Sequence, residues 1–203
     1  SKGEIVSEPV IFTTEANDEV IEYEYVDLGL PSGVKWAMHN VGTTYPEGHG
    51  DHFAWGEIEP KATYESGNCS SNYQDLGDIS GNPLYDAAAA KWGNGWRMPT
   101  LEEMYELTQE CTWTWVEDNG IVGYKVTSKT NGNHIFLPAA GFRVNDQLLD
   151  KDFFGYYWMS TPYEEEGAEP TLNKACFLDM CSYQFYCNWS LRRNGMTIRP
   201  VKD

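Results

Sequence analysis

Basic residues are scarce in this chain: 14 Lys and Arg stand against 31 Asp and Glu, a formal net charge of −17 over 203 residues. Such a surface repels phosphate backbones and anionic headgroups, which argues against nucleic acid and membrane surfaces as partners. No apolar run approaches the ~20 residues of a membrane span, so no membrane insertion by this segment is expected. The five cysteines, Cys69, Cys111, Cys176, Cys181 and Cys187, contain no C-x-x-C pair of the metal-site kind. Their odd number leaves at least one free thiol in a monomer. No Ser/His/Asp triad, glycine-rich phosphate loop or glycosidase-like carboxylate pair stands out, so no catalytic residue, metal or cofactor is assigned. What the chain has in quantity is aromatic surface: 8 Trp, 13 Tyr and 8 Phe within a 41% hydrophobic composition. That is enough apolar area to offset the ordering entropy of one domain.

The organisation reads from the punctuation. Residues 1–22 place Glu4, Glu8, Glu15, Asp18, Glu19 and Glu22 around Val10-Ile11-Phe12, which predicts an acidic tether or edge strand ahead of a domain at 23–203. Leu30-Pro31-Ser32-Gly33 between β-rich flanks predicts a hairpin. One helix is expected after Asn82-Pro83, running through Ala87 to Ala90 and closing at Gly93. A second is expected over Leu101 to Glu110, because Thr100 and Glu103 make a capping box; it should bury Leu101, Met104, Leu107 and Tyr105. Asp118-Asn119-Gly120 and Asn131-Gly132 mark tight reversals between strands. Further strands are expected at 156–160, 174–178, 183–188 and 196–201. Helices in the middle and strands on both sides predict an α+β fold with two short helices and antiparallel sheets.

Five signatures run in order along this framework: Tyr25-Val26-Asp27-Leu28-Gly29-Leu30-Pro31-Ser32-Gly33, Phe53-Ala54-Trp55-Gly56-Glu57, Trp96-Arg97-Met98-Pro99-Thr100, Ile135-Phe136-Leu137-Pro138-Ala139-Ala140-Gly141 and Ile198-Arg199-Pro200-Val201. Together they resemble the bacterial major paralogous domain (FISUMP-like) family, found in surface and secreted proteins of gut bacteria, over roughly residues 23 to 201. The resemblance implies a C-type-lectin-like fold, with the strand near Tyr23 to Leu28 beside that at Met196 to Val201. It also implies a place at the cell surface or outside the cell, as an exported lipoprotein, or in the periplasm. Any export signal would then lie upstream of Ser1.

Several constellations compete for a functional role. His49, Asp51, His52 and Glu57 are suitable zinc ligands by type, but packing or surface positions suit them better. Calcium, the usual lectin ion, needs six to eight oxygens; Glu169-Pro170-Thr171 with Asn173 and Asn188 supplies too few. Arg97 and Arg199 are expected in ion pairs, with Glu57 the first candidate partner. The Trp96 to Thr100 segment also resembles formylglycine-generating oxidases, which use C-terminal cysteines to bind copper; Cys176, Cys181 and Cys187 lie in that region, with one residue too many between the last two. Cys176 and Cys187 are placed to face each other across a hairpin turning near Cys181 and Ser182.

The richest candidate is the segment Tyr183 to Gly195. Tyr, Trp, Arg and Asn combine rigid contact area with adaptable hydrogen bonding. The expectation is a non-catalytic binding or adhesion module that recognises a glycan or a host or bacterial surface protein through Tyr183, Tyr186, Asn188, Trp189, Arg192 and Arg193. A formylglycine-generating-like oxidase and a structural subunit of a surface assembly are the alternatives.

Overall fold

The computed structural model describes residues 22–165, 167 and 171–203. The tether at 1–22 falls outside the described residues except for Glu22. Among the described residues, twelve strands and two α-helices follow one another, and the strands form four small antiparallel sheets. The first sheet holds β1 (Tyr25–Asp27), β2 (Lys35–Ala37), β3 (Trp96–Arg97) and β12 (Val201–Lys202) in the order β1-β2-β12-β3. The second holds β4 (Cys111–Asp118), β5 (Ile121–Ser128) and β6 (His134–Pro138) in sequence order. The hairpin β7 (Phe142–Val144) and β8 (Gln147–Leu149) is the third. The last has order β11-β10-β9, from β9 (Phe154–Pro162), β10 (Lys174–Cys181) and β11 (Gln184–Leu191).

This is a largely β architecture, which corrects the expected α+β, C-type-lectin-like fold. The two helices are real but confined by their end signals: α1 (Ala87–Trp92) has 6 residues and α2 (Leu101–Glu110) has 10. Between and beyond them, β-branched and aromatic residues favour pleated surface. The expected pairing of the two chain ends is also indirect, because β2 lies between β1 and β12.

Helix α1 starts four residues later than Pro83 would place it. Asp86 is its cap, accepting from Ala88 and Ala89 with one oxygen and from Gly81 and Met98 with the other. One buried carboxylate therefore satisfies four backbone amides, while Asn82 closes only the preceding turn. Helix α2 begins where the capping box puts it: Thr100 Oγ1 accepts from Glu103 N at 3.3 Å and Glu103 Oε2 from Thr100 N at 2.9 Å. The Asn119-Gly120 reversal has φ of 48° and 81°, the left-handed region that these residues tolerate.

Strand β9 is the spine of the molecule. Its consecutive residues Tyr157 and Trp158 point to opposite faces and enter different cores, both fully buried. Tyr157 joins Leu28, Trp36, Met104, Leu107, Leu137 and Leu178. Trp158 joins Phe53, Trp55, Trp92, Met98 and Ile198. Two indole bonds lock the spine to the 53–55 segment: Trp158 Nε1 donates to Phe53 O and Trp55 Nε1 to Met159 O, each at 2.8 Å.

The expectation of an ion pair holds for Arg97, though not with Glu57, and fails for Arg199. Arg97 pairs with Glu103 and Asp203, each at 2.6 Å, whereas Glu57 pairs with Lys61. Arg199, fully buried, bonds Asn40 Oδ1 and the carbonyls of Ala37, Met38 and Phe136. Its donors are satisfied by neutral dipoles, and burial lowers its pKa to about 10.

Candidate functional site

The β10–β11 hairpin carries the aromatic segment singled out in the sequence. Its register runs from Lys174 opposite Leu191 to Cys181 opposite Gln184, leaving Ser182 and Tyr183 as the turn. Tyr183 stands 75% exposed at that tip. The two-residue alternation then divides the segment. Phe185, Cys187 and Trp189 sit opposite Met180, Leu178 and Cys176, on the face that packs toward the first core. Tyr186 and Asn188 take the other face, where Tyr186 stands opposite Asp179. Burial raises the Asp179 pKa.

The six expected contact residues are therefore not one surface. Arg192 leaves it altogether: its side chain is buried, Nη1 donates to Ser71 O and Gln74 O at 3.1 and 2.8 Å, and Nε donates to Lys174 O at 3.1 Å. The guanidinium lies 4.2 Å from the Trp55 ring centroid, and burial lowers its pKa to about 10. It is a strut between the hairpin and the 71–74 loop. Arg193 is half-buried just past β11.

Trp189, 41% exposed, is the residue around which a concave site forms. With Asn188, Tyr163, Tyr105, Leu101 and Pro162 it lines a groove of about 490 Å³ between the end of β11, the end of β9 and helix α2. Tyr163 leans on Trp189, with centroids 5.3 Å apart and 34° between planes. The Lys174 ammonium sits 3.6 Å from the Trp189 centroid and 5.5 Å from that of Tyr163, a cation held against two π faces. The groove wall is fixed by Thr161, whose hydroxyl donates to Asp78 Oδ2 at 2.8 Å and accepts from Leu101 N at 3.0 Å.

Tyr163, Lys174 and Tyr105 were not singled out as site residues by the sequence. Tyr105 was expected in the core, yet it is 50% exposed, because Met104 and Leu107 alone fill the buried stripe of α2. Its position off that stripe was the available signal.

Cys176 and Cys187 also line the groove, and all five cysteines are free. They share a face but not a register pair, since Cys176 faces Trp189 and Cys187 faces Leu178. Burial pushes the Cys176 thiol up to about 11 and Cys187 up to about 12, away from thiolate character at neutral pH.

The suggested zinc ligands are dispersed. The His52 ring bonds Ala140 O at 3.2 Å, His49 lies 3.6 Å from Asp152, and Glu57 is engaged by Lys61 and Ser70. Among the described residues, no group of three or more His, Cys, Asp and Glu is placed to hold a metal. Glu169, the first calcium candidate, lies outside the described residues. No helix among the described residues is long and apolar enough to cross a membrane. Comparison of the chain with protein families, curated proteins and solved structures found no match.

Proposed function

We propose that this chain is a non-catalytic binding module and that the groove around Trp189 seats its ligand, a glycan in preference to a protein surface. The observation that carries this reading is the convergence of Trp189, Tyr163 and Tyr105 on one groove, which Asp78 and Glu164 also line. Aromatic rings offer flat apolar area to the C–H faces of a sugar, and neighbouring carboxylate groups bind hydroxyls. A rigid wall tied through Thr161 lowers the ordering cost of binding. The resemblance to the major paralogous family supports a surface or secreted setting, in which such a ligand is met.

The test is a glycan and surface-protein array, run with and without calcium, followed by titration of any hit against Trp189→Ala and Tyr105→Ala. Loss of binding in both variants, with unchanged affinity in chelator, is the expected outcome. Retained affinity in both would remove the groove from the function.

One observation favours a second reading. Two free cysteines in one groove are what a thiol-based copper oxidase would present, although burial has raised both thiol pKa values. Copper(I) titration separates the two readings: tight binding lost in Cys176→Ser and Cys187→Ser would support the oxidase.

A further inference from the structure

Strand β11 is an open edge, and its two faces carry exposed aromatic side chains that no single groove serves. In the order β11-β10-β9, one side of β11 meets β10 and the other meets no strand among the described residues. The two-residue turn at Ser182 and Tyr183 makes Cys181 and Gln184 a hydrogen-bonded pair, and past the far end Arg192 N donates to Asn173 O at 2.8 Å. Even-numbered residues therefore bond to β10, and Phe185, Cys187 and Trp189 turn their amides and carbonyls outward. The Trp189 amide shows this direction: it donates at 2.8 Å to Oδ1 of its own neighbour Asn188. Helix α2 packs against β9, β10 and β11 alike, so it crosses the sheet and does not line this edge. We infer that β11 pairs antiparallel with β11 of a second copy of this chain, about a twofold axis at Cys187.

The edge has none of the devices that keep such strands apart. From Gln184 to Leu191 its 8 residues hold no charge, no proline and no break in register. The other long edges are blunted. Strand β9 is bridged along its outer side at Gly155 and Tyr157, to Gly141 and Thr197, and β4 ends in Glu117 and Asp118.

A second copy fits this edge because the strand complements itself. With Cys187 opposite the partner's Cys187, Phe185 stands opposite the partner's Trp189, and Tyr186 opposite the partner's Asn188. Outward-facing backbone then meets outward-facing backbone, and the aromatic pairs add to the stability of the joined sheet. One partner strand also reaches both faces at once, Trp189 on one and Tyr186 on the other. The net charge of −17 on each copy opposes association. Since β11 itself carries no charge, that repulsion acts at a distance and salt screens it, so pairing strengthens as ionic strength rises. An interface built on ion pairs would respond in the opposite sense.

Sedimentation of the whole chain between about 1 µM and about 1 mM, the range of weak association, should show the mass rising from one chain toward two, more steeply at higher salt. Over the same range, NMR should show amide exchange slowing at Phe185 and Cys187 and unchanged at Tyr186 and Asn188, which are already bonded to β10. Tyr186→Lys with Asn188→Lys sets ammonium groups opposite one another across the axis and should hold the chain as a monomer. Tyr186→Lys with Asn188→Glu sets opposite charges there and should restore pairing; unfolding midpoints in dilute solution check that both variants fold. A single-chain mass throughout, exchange at Phe185 and Cys187 indifferent to concentration, undiminished association of the double-lysine variant, or a Lys–Glu variant no better than it would each overturn the inference. Mass and amide exchange need no ligand, so this pairing is decided apart from the Trp189 groove.

Discussion

Arg192 lies over the indole of Trp55, its guanidinium carbon 4.2 Å from the ring centroid, while its nitrogens reach three backbone carbonyls in two different segments. The residue that the sequence offers as a ligand contact is thus a structural cation. Replacing it by Met strands the carbonyls of Ser71, Gln74 and Lys174 and removes the π contact. The expected cost is at least about 3 kcal/mol, from unsatisfied buried acceptors. Arg193→Met, at a half-buried position without such bonds, should stay within about 0.5 kcal/mol. Urea unfolding of the pair measures the difference; equal midpoints would refute the assignment.

The α2 cap gives a smaller and cleaner number. Thr100→Ala removes one acceptor from the first turn and should destabilise by about 1 kcal/mol. Glu103→Gln keeps the reach back to Thr100 but loses the Arg97 ion pair, so comparing both variants separates cap from charge. An unchanged midpoint for Thr100→Ala would mean that the turn finds another acceptor.

Acid sensitivity follows from His52. Burial holds its pKa down from an ordinary 6.5 to about 4. A depressed folded pKa means that the unfolded chain takes up a proton first as pH falls. Stability is therefore full above about pH 6.5 and is lost progressively toward pH 4, by as much as about 3 kcal/mol from this one ring. His39 and His49, also lowered chiefly by burial, act with the same sign. Denaturation midpoints at pH 7 and pH 4.5 should differ accordingly, and His52→Gln should lose part of that difference. A pH-independent midpoint in the parent protein would count against the buried neutral ring.

Thiol chemistry offers a test of the oxidase alternative. With Cys111, Cys176 and Cys187 pushed up to about 11, 11 and 12 by burial, their thiolate populations at pH 8 are small. A disulfide reagent should label these positions slowly in the native protein and all five cysteines rapidly in denaturant. Two fast native thiols mapping to Cys176 and Cys187 would contradict the burial argument.

Local signals in this sequence were legible and global ones were not. Thr100 with Glu103 set the start of α2, and Asn119-Gly120 set a reversal, because each acts through bonds between near neighbours. The start of α1 was misplaced since its cap, Asp86, owes half its role to Gly81 and Met98, contacts that no local pattern encodes. The hairpin β7–β8 was missed for a similar reason: its positive-φ residue is Asn145, without a following glycine to advertise the turn. At the candidate site, Trp189 was found from its composition and neighbours. Its separation from Tyr186 and Asn188 follows from the two-residue period of β11. Arg192 was misjudged because an arginine after an aromatic strand reads the same whether it meets a ligand or a carbonyl.

The Arg199 guanidinium has a consequence for how the protein is made. Its acceptors sit at positions 37, 38, 40 and 136, so bonds that close the core span up to 162 residues of chain. A polypeptide leaving the ribosome has the β2 carbonyls long before it has their donor. Until residue 199 emerges, those carbonyls must stay hydrated, and the surfaces destined to meet over them stay apart. Folding of this domain is therefore expected to complete only after residue 199 has emerged, with the slow approach typical of distant contacts.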